Sequence, residues 1–314
     1  MATATASAPA RLDAFLHEVV PGLSRRDARR LCATGGVAVD GVRALPQTRL
    51  APGARVAWRP DCIEATLRLG LSVALVDDDV LVLEKPAHLA AHGGPLVDDS
   101  VAARLAQAFP GAGLAHRLDR GASGLLLVGL HAGALRALAA AMESDAIERT
   151  YLAVARGSVA ADEQTIHLPL RTLDEPRGDR PKVVVDHAAG QPARTHVRVL
   201  ARRADATLCA VRLATGRTHQ IRAHLAAVGH PLLGDPRYGD AAANTRARQT
   251  WGVDRPLLHA ASLAFPHPAT GQRVAVAAWL EADVVRVLPR ALAASLAGAD
   301  ALGSWAPRAG VVQR

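Results

Sequence analysis

The stretch AHRLDRGASGLLLVGL, Ala115 to Leu130, constrains this chain more than any other segment. Four charged or titratable side chains, His116, Arg117, Asp119 and Arg120, run into glycine and small residues and then into an almost unbroken aliphatic run. A short apolar run bounded by turn residues reads as a buried strand. Asp119 then stands between two arginines at the mouth of that strand. A carboxylate beside fixed cations stays ionised and can serve as nucleophile or electrostatic stabiliser. Placement just before a strand would hold it rigidly.

Upstream, the pattern predicts a separate small α/β unit over residues 11–60. Leu12, Phe15, Leu16 and Val19 recur at helical spacing until Pro21-Gly22. Ser24 opens a second helix with Asp27 as its capping-box partner. Ala28, Leu31 and Cys32 take the inner face of that helix, while Arg25, Arg26, Arg29 and Arg30 point elsewhere. Gly35-Gly36 stops the helix, and VAVDGVRA alternates around Asp40-Gly41 as a hairpin. Residues 1–60 hold nine arginines against four acids, so more than half of the net charge of +8 lies in a fifth of the chain. Such a surface suits a phosphate backbone, although a solvated helix face would show the same arginines.

No apolar run approaches the ~20 residues of a membrane span. MATATASAPA lacks a basic segment followed by an apolar one, which predicts no signal peptide. Cys32, Cys62 and Cys209 lie far apart in no metal-ligand spacing. These features predict a cytoplasmic, monomeric protein with no membrane partner and no metal.

From residue 71 to 285 the pattern predicts a second, larger domain. SVALVDDDVLVLEK, YLAVARG, THVRVLAR and TLCAVRLAT read as strands, and residues 100–109, 131–145 and 217–228 as helices. Strands outnumber helices without βαβ regularity, so the expected class is α+β, a mixed, largely antiparallel sheet. Residues 286–314 read as a weakly structured tail.

A second polar cluster lies in RLATGRTHQIRAHLAAVGHPLLGDPRYG, where Arg217, His219, Gln220, Arg222 and His224 fall within eight residues at a helix start. His219, His224 and His230 do not share a helix face, and no HExxH or CxxC supports a metal. One carboxylate with cationic and amide donors, and no phosphate loop, points to covalent or ion-pair catalysis on a sugar or base. A glycosidase would need a second carboxylate at defined separation, and neither motif places one beside Asp119.

HRLDRGASGLLL together with LATGRTHQIRAHLAAVGHPLLGDPRYG closely resembles the RluA-type pseudouridine synthase family. VLVLEKPAHLAAH, ERTYLAVARG, ARTHVRVL and LLHAASLAFPHPATG support the likeness, which runs over about residues 71–284. RLDAFL and SRRDARRLCATGGVAVDG resemble the S-four type RNA-binding domain over about residues 11–59. Two departures, Ala122 where the family usually has threonine and Gly93 after His92 where it often has proline, bear on substrate preference rather than on reaction type.

The resemblance implies a cofactor-independent isomerase that detaches uracil from ribose and rejoins it through carbon 5. It implies Asp119 as nucleophile, Arg222 as its ion-pair partner, and Tyr151 stacking on the uracil. His116, Arg117 and Arg120 would contact the flipped nucleotide or a phosphate. Lys85 would shape the pocket rim, Arg217 and His219 would support Arg222, and Arg25, Arg26 and Arg29 would bind RNA. Large-subunit ribosomal RNA is the expected target. A transfer RNA substrate, or a non-catalytic role in ribosome assembly, is the alternative.

Overall fold

A computed structural model describes residues 1–94, 98–173, 182–287 and 311–312. The N-terminal arginines ride on a unit of two helices, a four-stranded sheet and the short antiparallel pair Ala10–Arg11 with Arg49–Leu50. Strands β1 (Ala2–Thr5), β2 (Val37–Val39), β3 (Val42–Arg43) and β4 (Arg55–Trp58) form a sheet in the order β1-β4-β2-β3. Helices α1 (Leu12–Val19) and α2 (Arg25–Ala33) cover it, burying Leu12, Leu16, Ala28 and Leu31 against Val37 and Val56. Ser24 caps α2 as its sequence predicts: Oγ accepts from the Asp27 amide at 3.0 Å and donates to the Asp27 carboxylate at 2.7 Å.

Helix α3 (Ile63–Leu69) follows and faces two cores. Ile63 and Leu67 pack on the N-terminal unit, while Ala65 and Leu69 join the core of the larger domain. A buried acid also links the two. Glu84 accepts from Arg43, from Ser72 Oγ at 3.2 Å and from the Trp279 amide at 3.2 Å, and forms an ion pair with Arg59 at 3.0 Å. Arg43 reaches Glu281 at 2.8 Å, and the Arg59 guanidinium lies 3.9 Å from the centre of the Trp279 ring. The arginine-bearing unit is thereby held in one orientation to the sheet behind it.

The larger domain is the expected α+β class. Its strands are β5 (Ser72–Val76), β6 (Val80–Lys85), β7 (Ser123–Gly129), β8 (Glu148–Arg156), β9 (Glu163–His167), the hairpin β10 (Leu170–Leu173) and β11 (Lys182–Val185), then β12 (Arg194–Arg202), β13 (Ala206–Leu213), β14 (Leu258–Pro266) and β15 (Arg273–Ala277). The main sheet runs β9-β12-β13-β8-β14-β7-β6-β5, with β15 on β14 and residues 311–312 beside β9. Neighbours are antiparallel except at β7·β14 and at 311–312 on β9.

The β7·β14 seam explains the glycine in GASG. Gly124 has φ +107°, and a Cβ there would meet the Ala260 carbonyl oxygen at 2.2 Å. Only glycine lets the two backbones approach so closely.

Helices α3, α4 (Val101–Ala108) and α6 (Gln220–Ala227) cover one face of the sheet, packing on Leu81, Leu83, Leu126, Val128 and Val211. Helix α5 (Ala132–Glu143) packs on Val80, Val82, Leu125 and Leu127. Helices α7 (Ala241–Trp251) and α8 (Ala282–Val287) pack on Leu152, Val154 and Ala210. Helix α8 runs two residues into the expected tail, with Val284 and Val287 buried. Apart from residues 311–312, the rest of that tail lies outside the described residues.

Candidate active site

The loop before β7, the strand β8 and the turn before α6 enclose a cleft of ≈ 330 Å³ on the α6 face of the sheet. Asp119, Tyr151 and Arg222 all line it, together with Arg117, Arg149, Arg217 and His219. Two motifs about a hundred residues apart thus converge, because β7 lies mid-sheet and α6 packs across it.

Arg222 joins the carboxylates. Its NH1 donates to Asp119 Oδ2 at 3.0 Å, while Nε and NH2 donate to the two oxygens of Asp235 at 2.7 and 2.9 Å. Asp235 is fully buried and also accepts the backbone amides of Arg237 and Tyr238, at 2.9 and 3.2 Å. Burial opposes the charge of both partners, but their mutual hydrogen bonds outweigh it. The guanidinium is held above its ordinary range and the Asp235 carboxyl below its own.

On Asp119 both neighbours fall on one oxygen, since His219 Nε2 also faces Oδ2, at 3.9 Å. No described residue donates to Oδ1, and the side chain is 19 % exposed, toward the cleft. His219 is in turn held from behind. Its Nδ1 lies 2.9 Å from the Tyr238 hydroxyl, which accepts the Val183 amide at 2.9 Å. That amide occupies the phenol oxygen as acceptor, so the hydroxyl proton can serve Nδ1 and leave the ring hydrogen on Nε2, toward Asp119.

The expected helix over 217–228 begins instead at Gln220, because His219 adopts a left-handed φ of +52°. Gln220 organises the turn before it. Its Oε1 accepts from Thr215 Oγ1 and the Arg217 amide, and its Nε2 donates to Arg194 O and Thr195 Oγ1. His224 is scaffold as well, buried between Thr195 Oγ1 at 2.8 Å and Leu168 O at 2.9 Å.

Of the other expected site residues, Arg117 and Arg217 stand at the cleft: Arg117 donates to Thr218 Oγ1 at 3.0 Å and Arg217 to Pro192 O at 3.4 Å. Six do not line it. His116 accepts the Leu127 amide at 3.2 Å, and burial together with the Arg149 charge pushes it down to about 3, so it is a neutral brace for β7. Lys85 is fully buried, with Nζ donating to Pro86 O, Leu89 O and Arg120 O at 2.8, 2.9 and 3.3 Å. Arg120 donates to His88 O at 2.9 Å. Lys85 and Arg120 therefore tie the segment after β6 to the Asp119 loop from outside the cleft. Arg25, Arg26 and Arg29 are exposed on α2 and, with Arg11 and Asp13, line a groove of ≈ 540 Å³.

Asp235 and Arg149 were not singled out by sequence, although GDPRYG and ERTY contain them; Tyr238 stood out only as one of two tyrosines, both in motif-like stretches. One His/Asp group close enough to share a cation, Asp77, Asp79 and His267, lies at the far end of β6. His267 Nδ1 accepts backbone amides of Ala269 and Thr270. That leaves its hydrogen on Nε2, facing Asp77 at 3.0 Å, and a protonated nitrogen offers a metal no lone pair.

Comparison with known proteins fits this geometry. A family model described as RNA pseudouridylate synthase matches residues 79–227, and an S4 domain model matches residues 10–56. The ribosomal large subunit pseudouridine synthase C of Salmonella typhi is 34 % identical over 304 residues, covering 92 % of this chain and 95 % of that protein. The protein of the same description from Escherichia coli (strain K12) is 33 % identical over 296 residues, covering 89 % and 92 %. Among solved structures, human RNA pseudouridylate synthase domain containing 1 is 26 % identical with a TM-score of 0.55, covering 66 % of this chain and 82 % of that one. Since the likeness runs almost end to end in sequence and extends to the fold, the chain belongs to the RNA pseudouridylate synthase family, to its RluA-type branch with an N-terminal S4 domain, and is an RNA pseudouridine synthase.

Proposed function

We propose that Asp119 is the nucleophile of this isomerase, with Arg222 as its ion-pair partner and Tyr151 as the surface on which the uracil stacks. The observation that carries this reading is the one-sided capture of the carboxylate. Arg222 holds Oδ2, no described residue donates to Oδ1, and Asp119 lines the cleft together with Tyr151. Addition to ribose C1′ or to uracil C6 both require an ionised oxygen held in that way. The C1′–N1 bond breaks, the uracil turns, a C1′–C5 bond forms, and the C5 proton leaves while N1 gains one. The atoms balance with no cofactor.

The target is a uridine in large-subunit ribosomal RNA. Support comes from the names of the Salmonella and Escherichia relatives. Residues 71–285 carry the reaction and residues 11–60 bind RNA, through Arg25, Arg26 and Arg29 around their groove. Asp13 lies beneath these arginines, paired with Arg11 at 2.8 Å and near Arg29 at 3.5 Å. It pre-orders part of the surface for phosphates.

The test is tritium release from RNA labelled at uridine C5, using ribosomal and transfer RNA transcripts with wild type and Asp119→Asn. Release from the large-subunit transcript by wild type alone is the expected result. Release by Asp119→Asn at the wild-type rate removes it as nucleophile, and release from transfer RNA alone moves the target.

A further inference from the structure

Strand β8 carries two side chains into the cleft, and only one belongs to the chemistry just described. Successive residues of a strand face opposite sides of the sheet. Glu148 and Thr150 point away from the cleft, where Glu148 pairs with Arg273 at 2.6 Å and Arg212 at 3.2 Å. Arg212 Nε also donates to Thr150 Oγ1, at 3.2 Å. Arg149 and Tyr151 point into the cleft. The one acid beside Arg149 in sequence is therefore on the other face and engaged twice.

Among the described residues, Arg149 is the cleft arginine for which no hydrogen bond or ion pair is formed. Its Nε is buried and has no hydrogen-bond partner, and no ion pair among the described residues reaches its guanidinium. The other cleft arginines are held: Arg222 by Asp119 and Asp235, Arg117 by Thr218, Arg217 by Pro192 O. The turn before α6 passes over the Arg149 head group at Gly216, where a Cβ would lie 3.5 Å from NH1. Glycine leaves that side of the guanidinium uncovered.

A half-buried guanidinium with an unmatched N–H is costly unless a ligand supplies the acceptor. Arg222 is balanced by its two carboxylates, so Arg149 adds uncompensated positive charge beside the reacting base. Uracil and ribose are neutral, and the anions a uridine carries into this cleft are the phosphodiesters on either side of it. The planar fork of arginine suits two phosphate oxygens at once.

We infer that Arg149 grips a phosphodiester of the extruded uridine itself, as a substrate-binding residue distinct from the RNA-tethering arginines of the N-terminal unit. This inference rests on the reading of the cleft as the site of uridine isomerisation. Neutralising that phosphate where the nucleotide leaves the stack offsets part of the unstacking cost. Arg149 thus acts on the flipped state rather than on general RNA affinity.

The experiment uses the full-length enzyme and the transcript on which wild type releases tritium, so failure of wild type to turn over any transcript counts against the functional reading and not against Arg149. Half-saturating concentration and single-turnover rate are measured across a salt series for wild type, Arg149→Met and Arg149→Lys. Arg149→Met raises the half-saturating concentration about tenfold or more and flattens the log–log salt slope by roughly 0.7 to 0.9, the share of one phosphate contact. Arg149→Lys recovers the slope and only part of the affinity.

The decisive arm places a neutral methylphosphonate at each linkage flanking the modified uridine. One of the two weakens wild type by about the factor that Arg149→Met does, and weakens Arg149→Met little further. An undiminished methylphosphonate penalty in Arg149→Met, or an unchanged salt slope, overturns the inference. If Arg149→Met does not fold, Arg149→Lys against the same modified RNAs decides it: a full wild-type penalty at both linkages with unchanged affinity for unmodified RNA has the same overturning force.

Discussion

Asp235 takes Nε and NH2 of Arg222 at 2.7 and 2.9 Å and leaves NH1 for Asp119 at 3.0 Å. Arg222 is thus aimed by a second, deeper carboxylate that does not line the cleft. The backbone amides of Arg237 and Tyr238 fix that carboxylate in turn.

Asp235→Asn breaks this arrangement while keeping nearly the same volume. One charge-assisted bond is lost and Arg222 can swing from Asp119. The expected result is a fall in the single-turnover rate of about 10²-fold, or ~3 kcal/mol of transition-state stabilisation, with RNA affinity near wild type. Wild-type turnover in rapid-quench tritium assays would show that Arg222 needs no such support.

Tyr238→Phe tests the support behind His219. Removing the hydroxyl strips the Val183 amide of its acceptor and His219 Nδ1 of its partner. One such hydrogen bond is worth ~1 kcal/mol, so the rate falls roughly tenfold and thermal stability drops slightly. Because Val183 lies in β11, paired with Thr172 of β10, protection of that strand pair against hydrogen exchange falls too. A variant with unchanged rate and unchanged exchange would leave Tyr238 as filler.

Asp119 and Arg222 were legible because each sits inside a dense local motif, HRLDR and THQIR, with no competing carboxylate nearby. Asp235 and Arg149 were not, for different reasons. Asp235 matters only through the return of residues 233–239 to α6, a packing relation that no spacing encodes. Arg149 shares a strand face with Tyr151, which period-two reasoning could have shown, but its lack of a partner among the described residues shows only in three dimensions. His116, Lys85 and Arg120 went the other way: they flank the motifs, yet the fold turns them into braces. The start of α6 was misplaced by three residues because His219 trades helical backbone for its contacts with Tyr238 and Asp119. The α+β sheet itself was legible, since strand runs and their turns are local patterns.

Gly124→Ala addresses the seam that positions the Asp119 loop. The added methyl would fall 2.2 Å from Ala260 O at a backbone φ of +107°, so strain and overlap together cost about 3 kcal/mol or more. Ser123→Ala, one residue away, loses only the bond to His259 Nδ1 at 2.9 Å, about 1 kcal/mol. Denaturant melts of the two variants should rank in that order. Equal destabilisation would mean that the seam tolerates a side chain.

The buried Glu84 that joins the two units predicts how the enzyme responds to acid. Burial alone would raise its carboxyl, but Arg43 and Arg59 outweigh burial and bring it down to about 2. The folded value lies below the ~4.3 of a free glutamate, so the unfolded chain binds the proton first. The stability it contributes is therefore fully present above about pH 4.3 and drains as the pH falls toward 2. Glu84→Gln should cost ~3 to 5 kcal/mol at pH 7, because Arg43 and Arg59 lose their shared counter-charge. The gap between wild type and variant should narrow steadily below pH 4. Denaturant melts at pH 7 and pH 3 measure it, and a gap of the same size at both would place the stabilisation in shape rather than in charge.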